Sequence, residues 1–140
     1  MEIDPRGPRF SAVITTVVLA AVLVTGSAWL LAAQVAVFAV GALAGLRYAP
    51  YGMLYRRLIR PRLGPPAHTE AEAPPRFAQA TGLVIGAIAL ICLAAGATPA
   101  GLAFTALALA AAFLNAAFDL CLGCQVYLFI KRNQRVRPSA

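Results

Sequence analysis

The chain predicts an all-α fold: an integral membrane four-helix bundle with both termini and a short interfacial helix on one side of the bilayer. Three observations carry this. The 140 residues are 61% hydrophobic and only 12% charged, whereas soluble domains carry about 25% charged residues. The apolar residues fall in four runs, at about 10–25, 28–46, 77–97 and 100–122. All 12 Lys and Arg residues lie in three places, namely the N-terminus, the segment from Arg47 to Arg76, and the tail at 131–140. The turns Thr25-Gly26-Ser27 and Thr98-Pro99 contain none, which is the asymmetry that orients spans with their basic ends toward the cytoplasm. The net charge of +7 therefore predicts contact with anionic headgroups, not a nucleic-acid groove, because the arginines flank apolar runs.

The first nine residues contain Pro5, Gly7 and Pro8, which predict a non-helical start. The run at 10–25 is short for a span and, with Gly26 and Ala28 behind it, resembles a signal peptide. A second apolar run follows at once, so a transmembrane hairpin is the reading. A bilayer core of about 30 Å needs roughly 17–25 helical residues, which 28–46 and 77–97 satisfy. The last apolar stretch continues to Ile130, about 31 residues or roughly 46 Å of helix, so it has to tilt, break or project into the headgroups.

Gly41 and Gly45 in the second span, and Gly82 and Gly86 in the third, are each four apart. That spacing lets helix backbones approach closely and predicts contact between these spans. Between the spans, Tyr51, Leu54, Tyr55, Leu58 and Ile59 share one helical face while Arg56, Arg57 and Arg60 take the other. Pro50 precedes this pattern and Pro61 is expected to end it. A helix over about 51–60 should lie in the interface with its tyrosines at headgroup level, joined there by Tyr127. Residues 61–75 read as an extended, mobile linker on their Gly and Pro content. His68 lies in it without a second ligand at metal spacing, so it reads as solvated.

Chemistry, if the chain has any, is expected at Cys121 and Cys124. Three apart, they share a helical face, and they fall near the basic membrane boundary, a reducing side where paired cysteines are more often redox-active or metal-binding than structural. The pair could cycle between dithiol and disulfide, or carry a persulfide for a cytosolic partner. It could supply half a zinc site, but only if shared between chains. It could also simply pack, as Cys92 is taken to do. Nothing points to a bound cofactor. Asp119 is the one acid in apolar sequence, and an acid there should have a partner. Asn115 on the same face, or an arginine, would pair with it and make Asp119 an orienting group. If the helix breaks near Asp119, Cys121 enters a new first turn, where a thiolate is stabilised.

These residues carry a resemblance. The start Asp4-Pro5-Arg6-Gly7-Pro8-Arg9-Phe10, the segment from Pro50-Tyr51-Gly52 to Arg60-Pro61-Arg62-Leu63, and the stretch from Phe113 through Cys121-Leu122-Gly123-Cys124 to Tyr127 resemble a bacterial membrane family, domain of unknown function 4395. The resemblance implies four spans in a bacterial cytoplasmic membrane. It implies sulfur or thiol traffic with rhodanese-like or thioredoxin-like proteins, with Cys121 and Cys124 as the working pair. Members are often acidic after the second cysteine. This chain has Gln125 there, so no role for such an acid carries over.

Two functions follow as expectations. One is a thiol-redox or sulfur-relay membrane component. The other is a non-catalytic small subunit that packs its Gly and Ala faces into a larger membrane complex. Transport is weaker, because Thr15, Thr16, Gln34, Gln79, Thr105, Asn115 and Asp119 are too scattered to line a pore.

Overall fold

The computed structural model describes residues 2–136. Six helices form it: α1 (Arg6–Thr25), α2 (Ala28–Ala39), α3 (Pro50–Leu54), α4 (Ala73–Ala94), α5 (Thr98–Phe118) and α6 (Leu122–Val136). Two of them continue irregularly. A widened turn, Val40–Ala44, prolongs α2, and Tyr55–Ile59 followed by Arg60–Leu63 prolongs α3. Two short strands, β1 (Glu2–Ile3) and β2 (Glu70–Ala71), pair antiparallel. Helices α1, α4 and α5 are long and apolar enough to cross a membrane, and Ala28–Ala44 is a shorter apolar helix.

The helices form a square. α1 packs on α2 and α5, α4 packs on α2 and α5, and α1 faces α4 across the diagonal. One half of the square is filled. Leu19, Val22, Leu31 and Ala89 are fully buried there with Ala108 beside them. The other half carries the irregular segments and the arginines. Arg9 Nε donates to the Ala116 carbonyl at the end of α5. Arg76 Nε and Nη2 donate to the Ala42 and Leu43 carbonyls at the end of α2. Those carbonyls have lost their helical donors, and a guanidinium is a suitable cap for them.

Several boundaries differ from expectation, and prolines explain most of them. α1 begins at Arg6 and runs through Pro8, because a first-turn residue has no intrahelical use for its N–H. Pro74 and Pro75 sit in the first turn of α4 for the same reason. This shortens the linker, which is further tied to the N-terminus by the β1–β2 pair. Pro61 does not stop the interfacial helix. The backbone widens over Tyr55–Ile59, where the Arg60 N–H reaches back to the Tyr55 carbonyl, and the helix runs on to Leu63. Gly64, at φ 76°, ends it. A π-type turn of this kind absorbs the missing proline donor.

The glycines of α2 and α4 face one another. A Cβ on Gly82 would stand 2.8 Å from the Phe38 ring, one on Gly86 3.0 Å from Val35, and one on Gly41 2.9 Å from Gln79 Oε1. Each glycine makes room for a side chain of the opposite helix. Gly45 serves differently: at φ 109° it ends the α2 segment, and Glu72 Oε1 accepts the following Leu46 N–H at 2.9 Å.

Candidate functional site

The last apolar stretch breaks. α5 ends at Phe118, and Asp119 takes the left-handed conformation (φ 55°, ψ 29°), the only non-glycine residue to do so among those described. Its N–H donates to the Asn115 carbonyl at 3.1 Å and the Leu120 N–H to the Leu114 carbonyl at 3.2 Å. This is an αL-type end, with a 5→1 bond from the left-handed residue, in which aspartate stands where glycine is usual. The Asp119 side chain is exposed and makes no hydrogen bond or ion pair among the described residues. The charge partner expected for it is therefore not among them, and Asp119 acts here as a helix stop.

The break sets Cys121 directly ahead of α6. Its carbonyl accepts the Gln125 N–H at 3.0 Å, and its Sγ accepts the Cys124 N–H at 3.2 Å. Those are the two bonds of an N-cap residue, with sulfur in the place of a Ser, Thr or Asp oxygen. Cys121 and Cys124 are joined as a disulfide, with their Cα atoms 5.1 Å apart, and both are half-buried. In the reduced pair, the Cys121 sulfur would sit at the positive end of a 15-residue helix, a position that favours negative charge.

Gly123, between the cysteines, holds α6 against α4. A Cβ there would come within 2.6 Å of the Ala78 Cα, so no larger residue fits this approach. The Phe77 and Tyr127 rings pack 5.7 Å apart across the same contact, and Lys131 Nζ lies 5.9 Å from the Tyr127 ring. Tyr127 thus faces α4 with one side of its ring engaged.

A cavity of about 660 Å³ occupies the half of the bundle that the apolar core leaves unfilled. Cys121, just ahead of α6, and Val126 of α6 form part of its wall, with Thr15 of α1, Gln79 of α4 and Asn115 of α5. At its basic end lie Asp4, Tyr55 and three arginines, Arg47, Arg56 and Arg60. Asp4 organises that end. Its Oδ2 accepts Arg6 Nη2 at 2.9 Å and the Tyr55 hydroxyl at 2.9 Å, and Arg6 Nη2 also donates to the Gly64 carbonyl. Burial works against the Asp4 charge, but the Arg6 and Tyr55 donors outweigh it and hold the carboxyl below its ordinary range. Burial and the bond to Asp4 push the Tyr55 hydroxyl up.

The two tyrosines of the interfacial segment turn inward. Tyr55 is 2% exposed and packs on Phe10. Tyr51 donates its hydroxyl to Gln34 Oε1 at 2.7 Å, and Gln34 Nε2 reaches Thr15 Oγ1 at 3.5 Å. Polar residues scattered along the spans are thereby used in pairs to dock the interfacial helix. Arg56, Arg57 and Arg60 stay exposed, with Arg56 donating to the Arg47 carbonyl.

Asp4, Gln34, Glu72 and Arg76 matter here and were given no role from sequence. The available signal was that each is a polar residue inside or beside an apolar run, where a partner is obligatory. No three His, Cys, Asp or Glu residues gather as a metal set among the described residues. A model of the family described as domain of unknown function (DUF4395) matches residues 3–132. No curated protein and no solved structure matches the chain.

Proposed function

We propose that this chain, which belongs to the DUF4395 family, exchanges electrons through Cys121 and Cys124 at the cytoplasmic face of a bacterial membrane. It does so as a four-span protein with both termini inside. The segregation of every described arginine and lysine to one end of the bundle supports that orientation. At 17 residues, the Ala28–Ala44 helix is about 26 Å long, enough for a thinned or shallowly crossed core.

The observation that carries the redox reading is the N-cap geometry of Cys121, whose Sγ accepts the Cys124 N–H. In the reduced state the Cys121 thiolate attacks one sulfur of a partner protein's disulfide. The S–S bond breaks, the partner's other sulfur leaves as thiolate, and a mixed disulfide forms. Cys124 then loses its proton and attacks Cys121 Sγ, which closes the intramolecular disulfide and frees the partner as a dithiol. Run backward, the same steps let a thioredoxin-like dithiol reduce this chain.

The test is thiol alkylation of the full chain in sealed vesicles, oxidised and reduced, against a thioredoxin-like partner. Cys124→Ser should trap a mixed disulfide and Cys121→Ser should form none. Equal alkylation in both redox states would sink the idea. A chain recovered with one extra sulfur on Cys121 would make it a persulfide relay instead. Normal function of a double serine variant within a larger complex would leave a packing subunit.

A further inference from the structure

We infer that the central cavity binds a membrane quinone, which is the two-electron partner of the Cys121–Cys124 pair. The inference rests on the redox reading above. Three features of the cavity point the same way.

The first is its size and position. About 660 Å³ lies within the range of small-molecule sites, about 300–1,000 Å³, and takes a substituted quinone ring with the first isoprenoid units of its tail. The filled core of Leu19, Val22, Leu31, Ala89 and Ala108 closes one end. Leu107, Ala110 and Val126 belong to the cavity wall and are also exposed. They mark a lateral opening on the apolar flank of the bundle, so a ligand can enter from lipid.

The second is its polarity. Walls from α1, α4 and α5 are mainly apolar, interrupted by two side-chain amides, Gln79 and Asn115. Neither amide makes a side-chain hydrogen bond among the described residues, whereas the hydroxyls beside them on the cavity wall do. Ser11 and Thr81 bond back to their own helices, and Thr15 is held by Gln34. The Gln79 and Asn115 amides on this wall each carry NH₂ donors, a match for two ring carbonyl oxygens, each an acceptor.

The third is Cys121 on the wall. It is the sulfur at the helix N-terminus, and therefore the one that reacts as thiolate. The Cys121 thiolate adds to a ring carbon of the quinone, forming a C–S bond. Cys124 sulfur then attacks Cys121 Sγ and the C–S bond breaks, its electron pair passing to the ring. The products are one disulfide and one hydroquinone, and the two thiol protons end on the hydroquinone oxygens. An anionic lipid headgroup would suit the arginine mouth but has no use for the redox pair or for the amides below it.

The experiment uses the purified full chain, reduced and freed of reductant, in phosphatidylcholine nanodiscs with added ubiquinone-1. Quinone loss is followed by ultraviolet absorbance and free thiols by mass-shift alkylation. One quinone should be consumed per cysteine pair, with a saturating rate. Gln79→Leu with Asn115→Leu should lower that rate about 10-fold relative to the same variant's rate with oxidised dithiothreitol. Ala111→Phe, which fills the cavity from α5, should do the same. Quinone loss no faster than with free dithiothreitol, or unchanged by both variants, overturns the inference. Saturable exchange with disulfides but not with quinone overturns the quinone site and leaves the redox reading. Failure with both overturns the two together. Quinone reduction seen only after anionic lipid is removed would assign the cavity to that lipid and overturn the inference as well.

Discussion

The two ends of the bundle are built on different rules. In the sealed half, Leu19, Val22, Leu31 and Ala89 are wholly buried, the helices are regular, and glycines at positive φ, Gly26 and Gly96, make the turns. In the basic half three elements are disturbed: α2 widens at Val40–Ala44, the α3 segment widens at Tyr55–Ile59, and the last apolar stretch breaks at Asp119. Polar contacts replace apolar packing there, with Asp4, Arg6 and Tyr55 in one cluster and Gln34 and Tyr51 in another. Apolar packing has little direction and gives stability, while hydrogen bonds in a low dielectric fix position. The difference teaches that the chain keeps its apolar packing and its polar and cysteine residues in separate places.

That separation can be broken by substitution. The largest stability loss is expected from Leu19→Ala in the sealed half, about 2–5 kcal/mol from lost burial and the cavity left behind, read by thermal unfolding in detergent. Thiol exchange per folded molecule should be unchanged. An equal loss of exchange would couple the two halves and refute the comparison. Gly123→Val should cost about 1–3 kcal/mol by overpacking and lift α6 from Ala78. It should expose the reduced cysteines to alkylation, with a smaller fall in global stability than Leu19→Ala causes. Unchanged alkylation would mean that α6 does not depend on that contact.

Smaller effects belong to the basic end. Tyr55→Phe removes one hydrogen bond to Asp4 and should lower stability by about 1 kcal/mol. Asp4→Asn in the same background should then show less than its single-variant effect, because the two share a contact. Asp4 also sets the sign of an acid dependence. Its carboxyl is held below the ordinary 3.8, so its contribution is complete above that value and is lost as pH falls through the depressed one. Asp4→Asn should flatten this part of the stability profile, and an unchanged acid limb would assign it to other carboxylates.

Much of this was legible before the structure. Apolar runs separated by uncharged or arginine-rich segments define the helices because burying or exposing such runs is a local property of composition. The interfacial segment was visible from its 3.6-residue period and from Pro50. The cysteine pair was visible as a spacing. Proline effects were misjudged at Pro8 and Pro61, since a missing donor matters only where a helix needs one, and that depends on where the helix starts or widens. The cavity was not visible at all. It exists because α1 and α4 face each other diagonally, and no residue pattern within either helix states the distance between them.

Taken alone, the sequence determined an all-helical chain with spans of membrane length, a one-sided distribution of basic charge, and two cysteines within one turn's reach of each other. The physical reason is that hydropathy, helical period and residue spacing act over a few turns of chain. Tertiary structure alone decided that α5 stops at Asp119, that Cys121 caps the next helix, and that Cys121 borders a cavity lined also by Gln79 and Asn115. Those outcomes depend on Gly123 meeting Ala78 and on three helices meeting at one end, which are contacts between residues far apart in the chain.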